Sequence, residues 1–292
     1  MKTYLESFLT EYEYPADSIS VILGAYERVV SSHKGEFDSL IAEYEADRNV
    51  DHLAAIENMK QISEASGIHE YTGALLLFLC YTRGLRKHYT EEGIDLQIYR
   101  ATVLDLRYKL DECICVHDVV GTFVANWFIG FFKLERFALG RLQFEIAELG
   151  CEYERNGLKL SPDTRVINVH IPRTGGRLDR ESTLAAYKAA ADFYRPLLGD
   201  DIVFICSSWL LFPRHKEILK PGSNLLSFID DFDIFASGEY PNYNEVWRLF
   251  DKNYDGDITH LPSDSSLRRA YVELIKQGEK TGWGKGLFKY NS

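Results

Sequence analysis

Val166-Ile-Asn-Val-His-Ile-Pro-Arg-Thr-Gly-Gly-Arg-Leu178 is an apolar, β-branched run that ends in a Gly-Gly turn between arginines. Asp179-Arg-Glu-Ser-Thr-Leu-Ala-Ala-Tyr-Lys-Ala-Ala-Ala-Asp-Phe-Tyr194 follows, and from Ser182 its apolar residues recur at helical steps. The order is strand, glycine loop, helix N-terminus. Backbone N–H groups of such a loop, with the positive end of a helix behind them, can hold a phosphate. The same order also occurs in plain strand-to-helix turns with solvated arginines, and spacing alone does not separate the two. No Lys-Ser/Thr follows the glycines, so the loop is not that of an NTP-binding protein.

The 292 residues, 46% apolar and 26% charged, suffice for one large domain or two. A net charge of −11 argues against nucleic acid as a partner, because binding a phosphate backbone needs a basic face. Against that acidic background, Arg165, Arg173, Arg177 and Arg180 surround a single acid, Asp179, which suits a small anionic ligand. Five cysteines (Cys80, Cys113, Cys115, Cys151 and Cys206) form no disulfide framework. The opening Met1-Lys-Thr-Tyr-Leu-Glu-Ser-Phe8 has no apolar signal segment, and the longest apolar run, Ala74 to Tyr81, is too short to span a bilayer. A cytoplasmic protein without a membrane partner is expected.

From the start to about Ile114 the apolar residues recur at steps of three and four, predicting helices over 4–12, 18–31, 36–45, 50–65, 70–85 and 96–110, with Gly67 and Gly84 as stops. After Asp118 the pattern changes. Asn126 to Glu145 has aromatic, β-like spacing with Gly140 at a turn or bulge. Strands are predicted at 166–171, 202–206, 233–236, 244–250 and 282–290. Helices are predicted at 182–197, 215–219 and from Pro221 to Phe232, with a last one at 265–277 capped by Ser263 or Asp264. The fold class is α+β: an all-helical N-terminal domain (1–122), then a mixed α/β domain (123–292).

Four stretches carry a resemblance. Leu139-Gly-Arg-Leu-Gln-Phe-Glu145, His170-Ile-Pro-Arg-Thr-Gly175, Ser208-Trp-Leu-Leu211 with Ser223-Asn224 downstream, and Leu261-Pro-Ser-Asp-Ser-Ser-Leu-Arg-Arg-Ala270 are together similar to the GNAT acyltransferase superfamily. They resemble one bacterial branch more closely, two-domain proteins with a helical N-acyltransferase N-terminal domain and a GNAT-like C-terminal domain. The resemblance implies an acyl-CoA co-substrate, acetyl-CoA or another, and an amine acceptor. It places the CoA pyrophosphate on Arg173, Thr174, Gly175, Gly176, Arg177 and Leu178, with Asn224 as a further contact. Two departures stand out: Leu178 fills a position where the wider superfamily has a small residue, and the 224–232 helix lacks the Tyr that many members use to protonate the leaving thiolate.

Acyl transfer to an amine requires a group to take the amine proton. Glu145, at the end of a predicted strand, and His170, just before the loop, are the candidates; a solvated strand-end carboxylate and a satisfied core histidine are the plain alternatives. Ser207 ends the next core strand and stands where the closer branch has His; it lacks a Gly-x-Ser-x-Gly elbow, which leaves it hydrogen bonding to pantetheine or acceptor rather than nucleophilic attack. Asp251-Lys-Asn-Tyr-Asp-Gly-Asp-Ile-Thr-His-Leu-Pro262 imitates a calcium loop, but its twelfth position is Pro262 instead of a bidentate Glu. Cys113-Ile-Cys-Val-His117 lacks zinc spacing, and no metal is expected. The alternative to an enzyme is a non-catalytic ligand-binding or scaffold protein on a degenerate GNAT-like fold.

Overall fold

The computed structural model describes residues 1–174 and 176–291. The chain divides into two compact units, Met1–Phe137 and Ala138–Ser292.

The first unit is built from α1 (Lys2–Glu11), α2 (Ala16–Ala46), α3 (His52–Ala65), α4 (Glu70–Glu91) and α5 (Leu96–His117). α4 is its axis, with every residue from Thr72 to Thr82 buried. An apolar stretch closed off on all sides is what an unbroken run such as Ala74–Tyr81 dictates. Tyr44 of α2 stacks on Tyr81 of α4 at 4.3 Å, and its hydroxyl donates to the Phe132 carbonyl at 2.9 Å. Two expectations fail in this unit. Gly84 does not stop a helix but lies inside α4, where a Cβ would come within 3.1 Å of the Tyr44 ring. The absent side chain serves a close helix–helix approach. The aromatic run after Ala125 is helical, a 3₁₀ turn (Ala125–Phe128) followed by α6 (Ile129–Phe132). Phe128 and Phe132 both reach the Phe78 ring, at 5.2 and 4.9 Å, and that four-residue spacing fits a helix rather than a strand. The predicted break near residue 32 is present as a kink at His33 (φ −131°, ψ 31°), where two helical segments meet within α2.

The second unit carries a six-stranded sheet of β1 (Arg136–Leu139), β2 (Leu142–Glu148), β5 (Arg165–His170), β6 (Val203–Ser208), β7 (Asp233–Glu239) and β8 (Gly282–Lys289), in the order β1-β2-β5-β6-β8-β7. β5 and β6 are parallel, and the ladders from β2 to β5, β6 to β8 and β7 to β8 are antiparallel. α7 (Arg180–Leu198) supplies the crossover between the parallel pair and covers one face. There Tyr187 meets Phe204 and Phe288 at 5.2 and 5.0 Å, the two phenylalanines stack at 5.1 Å, and the Tyr194 hydroxyl donates to the Phe144 carbonyl. On the other face Leu149, Tyr153, Val166, Val203, Ile205 and Leu287 form a second cluster. β3 (Tyr153–Arg155) and β4 (Leu158–Leu160) form a hairpin around Asn156-Gly157, both at positive φ. The Asn-Gly pair announces this turn in the sequence.

The remaining helices are α8 (His215–Ile218), α9 (Asn224–Ile229), α10 (Trp247–Phe250) and α11 (Ser266–Lys276). The predicted 244–250 strand is instead a turn leading into α10, because Val246 and Phe250, four apart, enter one apolar cluster with Tyr271 and Leu274 of α11. Ser265, not Ser263 or Asp264, caps α11 by accepting from the Arg268 N–H.

His215 is fully buried between the Leu210 carbonyl, 2.9 Å from Nδ1, and the Tyr271 hydroxyl, 2.6 Å from Nε2. A carbonyl only accepts, so Nδ1 carries the proton and Tyr271 donates to Nε2. Burial holds the imidazole down to about 4. The unfolded chain takes up this proton near 6.5 and the folded chain only near 4, so acid favours unfolding. The stability that neutral His215 supports is complete above pH 6.5 and is lost as pH falls toward 4, about 3 kcal/mol in all. Urea unfolding at a series of pH values should show this slope, and His215→Gln should flatten it; an unchanged slope in the variant would place the acid sensitivity elsewhere. Phe204→Ala should cost about 3–5 kcal/mol by the same measurement, because it empties the centre of the Tyr187–Phe144–Phe288 packing.

Candidate active site

Side chains alternate faces along a strand, and directly paired residues share a face. Gln143 pairs with His170 and Glu145 with Asn168, so these four polar side chains share one face of the β2–β5 ladder. It is the face opposite Phe144 and α7. Glu145 Oε1 lies 2.7 Å from His170 Nε2 and 3.1 Å from Asn168 Nδ2. The carboxylate can only accept, so the imidazole donates from Nε2, which fixes the tautomer with its lone pair on Nδ1. The Glu145 and His170 side chains are 19% and 20% exposed. Neither is a solvated strand end or a core histidine. Both are half-buried, in contact with each other and open on one side.

The pairing of β5 with β6 stops early. It joins Ile167 to Phe204 and Asn168 to Ile205, whereas β5 continues to His170 and β6 to Ser208. His170 and Ser207 therefore lie beyond the last pair. Ser207 alternates with Ile205, which puts it on the same face as Asn168 and His170; it is exposed and pairs across β8 with Lys285. Among the described residues no hydrogen bond links Ser207 to Glu145 or His170. Cys206 faces the other way and is buried, which pushes its thiol well above the ordinary range.

The loop after β5 has its own internal structure. Thr174 Oγ1 accepts from the Gly176 N–H at 3.2 Å, so Thr174 shapes the turn. Gly175 lies outside the described residues. Arg177 is exposed and pairs with no carboxylate among the described residues, whereas Arg173 is bridged to Asp251 at 3.0 Å and Arg180 to Asp231. Asp179 caps α7 by accepting from the Ser182 N–H at 2.8 Å, and that bond holds its carboxyl below the usual range. Leu178 is half-buried where the loop meets the helix. Asn224 opens α9 behind the Ser223 cap; it is exposed and shares no hydrogen bond with the loop among the described residues.

Three contributors escape a reading of the sequence by motif. Asn168 could have been found from the Asn-x-His alternation in an otherwise apolar strand. Arg141 sits in the hairpin turn after Gly140 (φ +70°) and donates to the loop carbonyls of Pro172, Gly176 and Arg177. Its sequence gives no sign of so distant a partner. Asp251, first residue of the calcium-loop imitation, is held between Arg173 and Arg268. Farther along that segment His260 is bonded to Asp255, and among the described residues no three His, Cys, Asp or Glu side chains converge as a metal site would need. Cys113 is buried on α5 and Cys115 exposed, so they do not face a common site.

Residues 137–288 match the family described as GNAT-like C-terminal domain, and residues 3–134 match the N-acyltransferase N-terminal domain. Among solved structures, an acyltransferase in complex with decanoyl-CoA and teicoplanin is 21% identical, with a TM-score of 0.74 over 98% of this chain and 87% of that one. An acyltransferase mutant in complex with octanoyl-CoA is also 21% identical, with a TM-score of 0.73 and the same coverage. An acyltransferase in complex with decanoyl-CoA is 19% identical at a TM-score of 0.74, again over 98% of this chain and 87% of that one. At these identities the likeness is one of fold. No curated protein matches the chain. The helical first unit, the mixed sheet of the second and the two family matches agree, and the chain belongs to the acyltransferase family that joins an N-acyltransferase N-terminal domain to a GNAT-like C-terminal domain.

Proposed function

We propose that this protein transfers an acyl group from an acyl-CoA thioester to an amine. The Glu145–His170 hydrogen bond carries this reading: a carboxylate-oriented imidazole lies just past the point where β5 and β6 stop pairing. With Nε2–H donated to Glu145, His170 Nδ1 is the atom that accepts a proton, and the carboxylate stabilises the imidazolium that forms. The amine nitrogen attacks the thioester carbonyl carbon while Nδ1 takes its proton, directly or through one water. The tetrahedral oxyanion then collapses, the C–S bond breaks, sulfur leaves with the electron pair, and the thiolate takes the proton from the imidazolium, which returns His170 to its neutral form. Overall, an N–H is exchanged for an S–H and a thioester for an amide. The loop of Arg173, Thr174, Gly175, Gly176, Arg177 and Leu178 takes the pyrophosphate, with Asn224 as an outlying contact. Ser207 hydrogen bonds to the pantetheine or the acceptor.

Similar structures hold octanoyl-CoA and decanoyl-CoA, so medium-chain thioesters are the first to try beside acetyl-CoA. The acceptor is a small-molecule amine; the teicoplanin complex of a similar structure makes glycopeptide amines part of any panel. No helix among the described residues is long and apolar enough to cross a membrane, and all five cysteines are free, which suits the reducing cytoplasm. Two observations favour a non-catalytic binding protein instead: Arg173 is already engaged by Asp251, and α9 contains no tyrosine.

Calorimetry with acetyl-, octanoyl- and decanoyl-CoA should show binding, and an amine panel should release free thiol. Heat from none of the three at millimolar ligand would remove the acyl-CoA reading, whereas binding without thiol release from any amine would favour the non-catalytic one. Glu145→Gln and His170→Ala should each lower kcat by roughly 10²–10⁴-fold, the usual weight of a positioned base, while acyl-CoA affinity stays near that of the parent.

A further inference from the structure

Arg141 occupies the second position of the β1–β2 hairpin turn and is half-buried. Its three guanidinium nitrogens spread over the glycine loop: Nη1 donates to the Pro172 carbonyl at 2.9 Å, Nη2 to Gly176 at 3.3 Å and Nε to Arg177 at 3.3 Å. A trans peptide holds C=O and N–H on opposite sides of one plane. Each carbonyl turned toward Arg141 therefore turns the next N–H away from it. Those N–H groups belong to Arg173, Arg177 and Leu178. None of the three meets an acceptor among the described residues, while the Gly176 N–H is taken by Thr174 and the Ser182 N–H by Asp179. Among the described loop residues, Pro172, Gly176 and Arg177 thus give their carbonyls to the arginine, and the amides of Arg173, Arg177 and Leu178 are turned away from it and left unused. Amides left unused in this way can donate to an anion, and carbonyls turned the other way would repel it.

We infer that Arg141 is the positioning residue of the phosphate loop. It does not touch the ligand. It fixes three peptide planes before the ligand arrives, so the ordering is not left to binding. A guanidinium is suited to this because its donors lie in one rigid plane; an ammonium on a flexible stem keeps the charge but cannot reach three separated carbonyls in fixed directions. Leu178 gains a role as well, since its N–H rather than its side chain is what the loop presents. This assignment rests on the acyl-CoA reading and deepens it.

The test compares two probes on the full chain, CoA and an S-acyl pantetheine, which shares the thioester end but has no pyrophosphate. Arg141→Ala and Arg141→Lys should each raise the Kd for CoA by roughly ten- to a hundredfold, the range of charge-assisted hydrogen bonds, and leave S-acyl pantetheine affinity within about twofold. Added guanidinium chloride at low concentration should restore part of the CoA affinity to Arg141→Ala and none to Arg141→Lys. Equal losses for both probes, or unchanged CoA affinity in Arg141→Lys, would overturn the assignment while the acyl-CoA reading stands. If the parent protein binds neither probe, the acyl-CoA reading itself fails and takes this assignment with it.

Discussion

Two residue pairs, Ile167 with Phe204 and Asn168 with Ile205, hold β5 to β6, and the chemistry available to the C-terminal unit depends on where that pairing ends. Parallel strands that separate leave N–H and C=O groups along their inner edges, and such groups need partners. The sheet makes the separation inexpensive. β5 is paired with β2 from Arg165 to His170, and β6 with β8 from Val203 to Ser208. Each central strand is held along its full length by its outer neighbour, so the early end of their mutual pairing does not loosen either one. The inner-edge N–H and C=O groups beyond the last pair are what the extended, amide-bearing pantetheine of the proposed ligand would use.

The faces of the same sheet divide the work. Below lies an aromatic layer of Phe144, Phe204, Phe288 and Tyr187, and above lie Gln143, Glu145, Asn168 and His170. Packing on one side fixes the strands so that a short hydrogen bond on the other needs no further support. The glycine loop continues the same strand. In the proposed reaction, proton transfer and phosphate recognition both fall to one segment, residues 165–179, braced by β2 on one side and by the arginine of the β1–β2 turn at its end.

How far the sequence reveals this varies with the range of the interactions. The β5–loop–α7 unit is legible because a β-branched run, two glycines and a capped helical period are all local signals. Glu145 and His170 are legible as residue types, but their contact depends on a cross-strand register that no local pattern reports. Arg141 is illegible for the same reason, since its partners lie more than thirty positions away. The errors have a common origin too. Residues 126–132 and 244–250 alternate enough to suggest strands, yet Phe132 and Val246 each belong to an apolar cluster reached from one side of a helical turn, and tertiary packing overrides the weak local preference. Gly84 misleads because a glycine that ends a helix and a glycine that lets two helices touch look alike in one dimension.

Asp251 gives the loop a property that its motif does not show. It already neutralises Arg173 and is itself secured by Arg268. An anion arriving at Arg173 would not meet a bare cation; it would exchange with a tethered carboxylate that stays nearby afterward. The electrostatic gain is then the small difference between two ion pairs rather than the full attraction of one. In the proposed pyrophosphate site, recognition at Arg173 would resemble ion exchange on a fixed resin. At Arg173 the proposed selectivity would then rest on directed amides and shape, leaving the exposed Arg177 to supply the loop's unpaired charge.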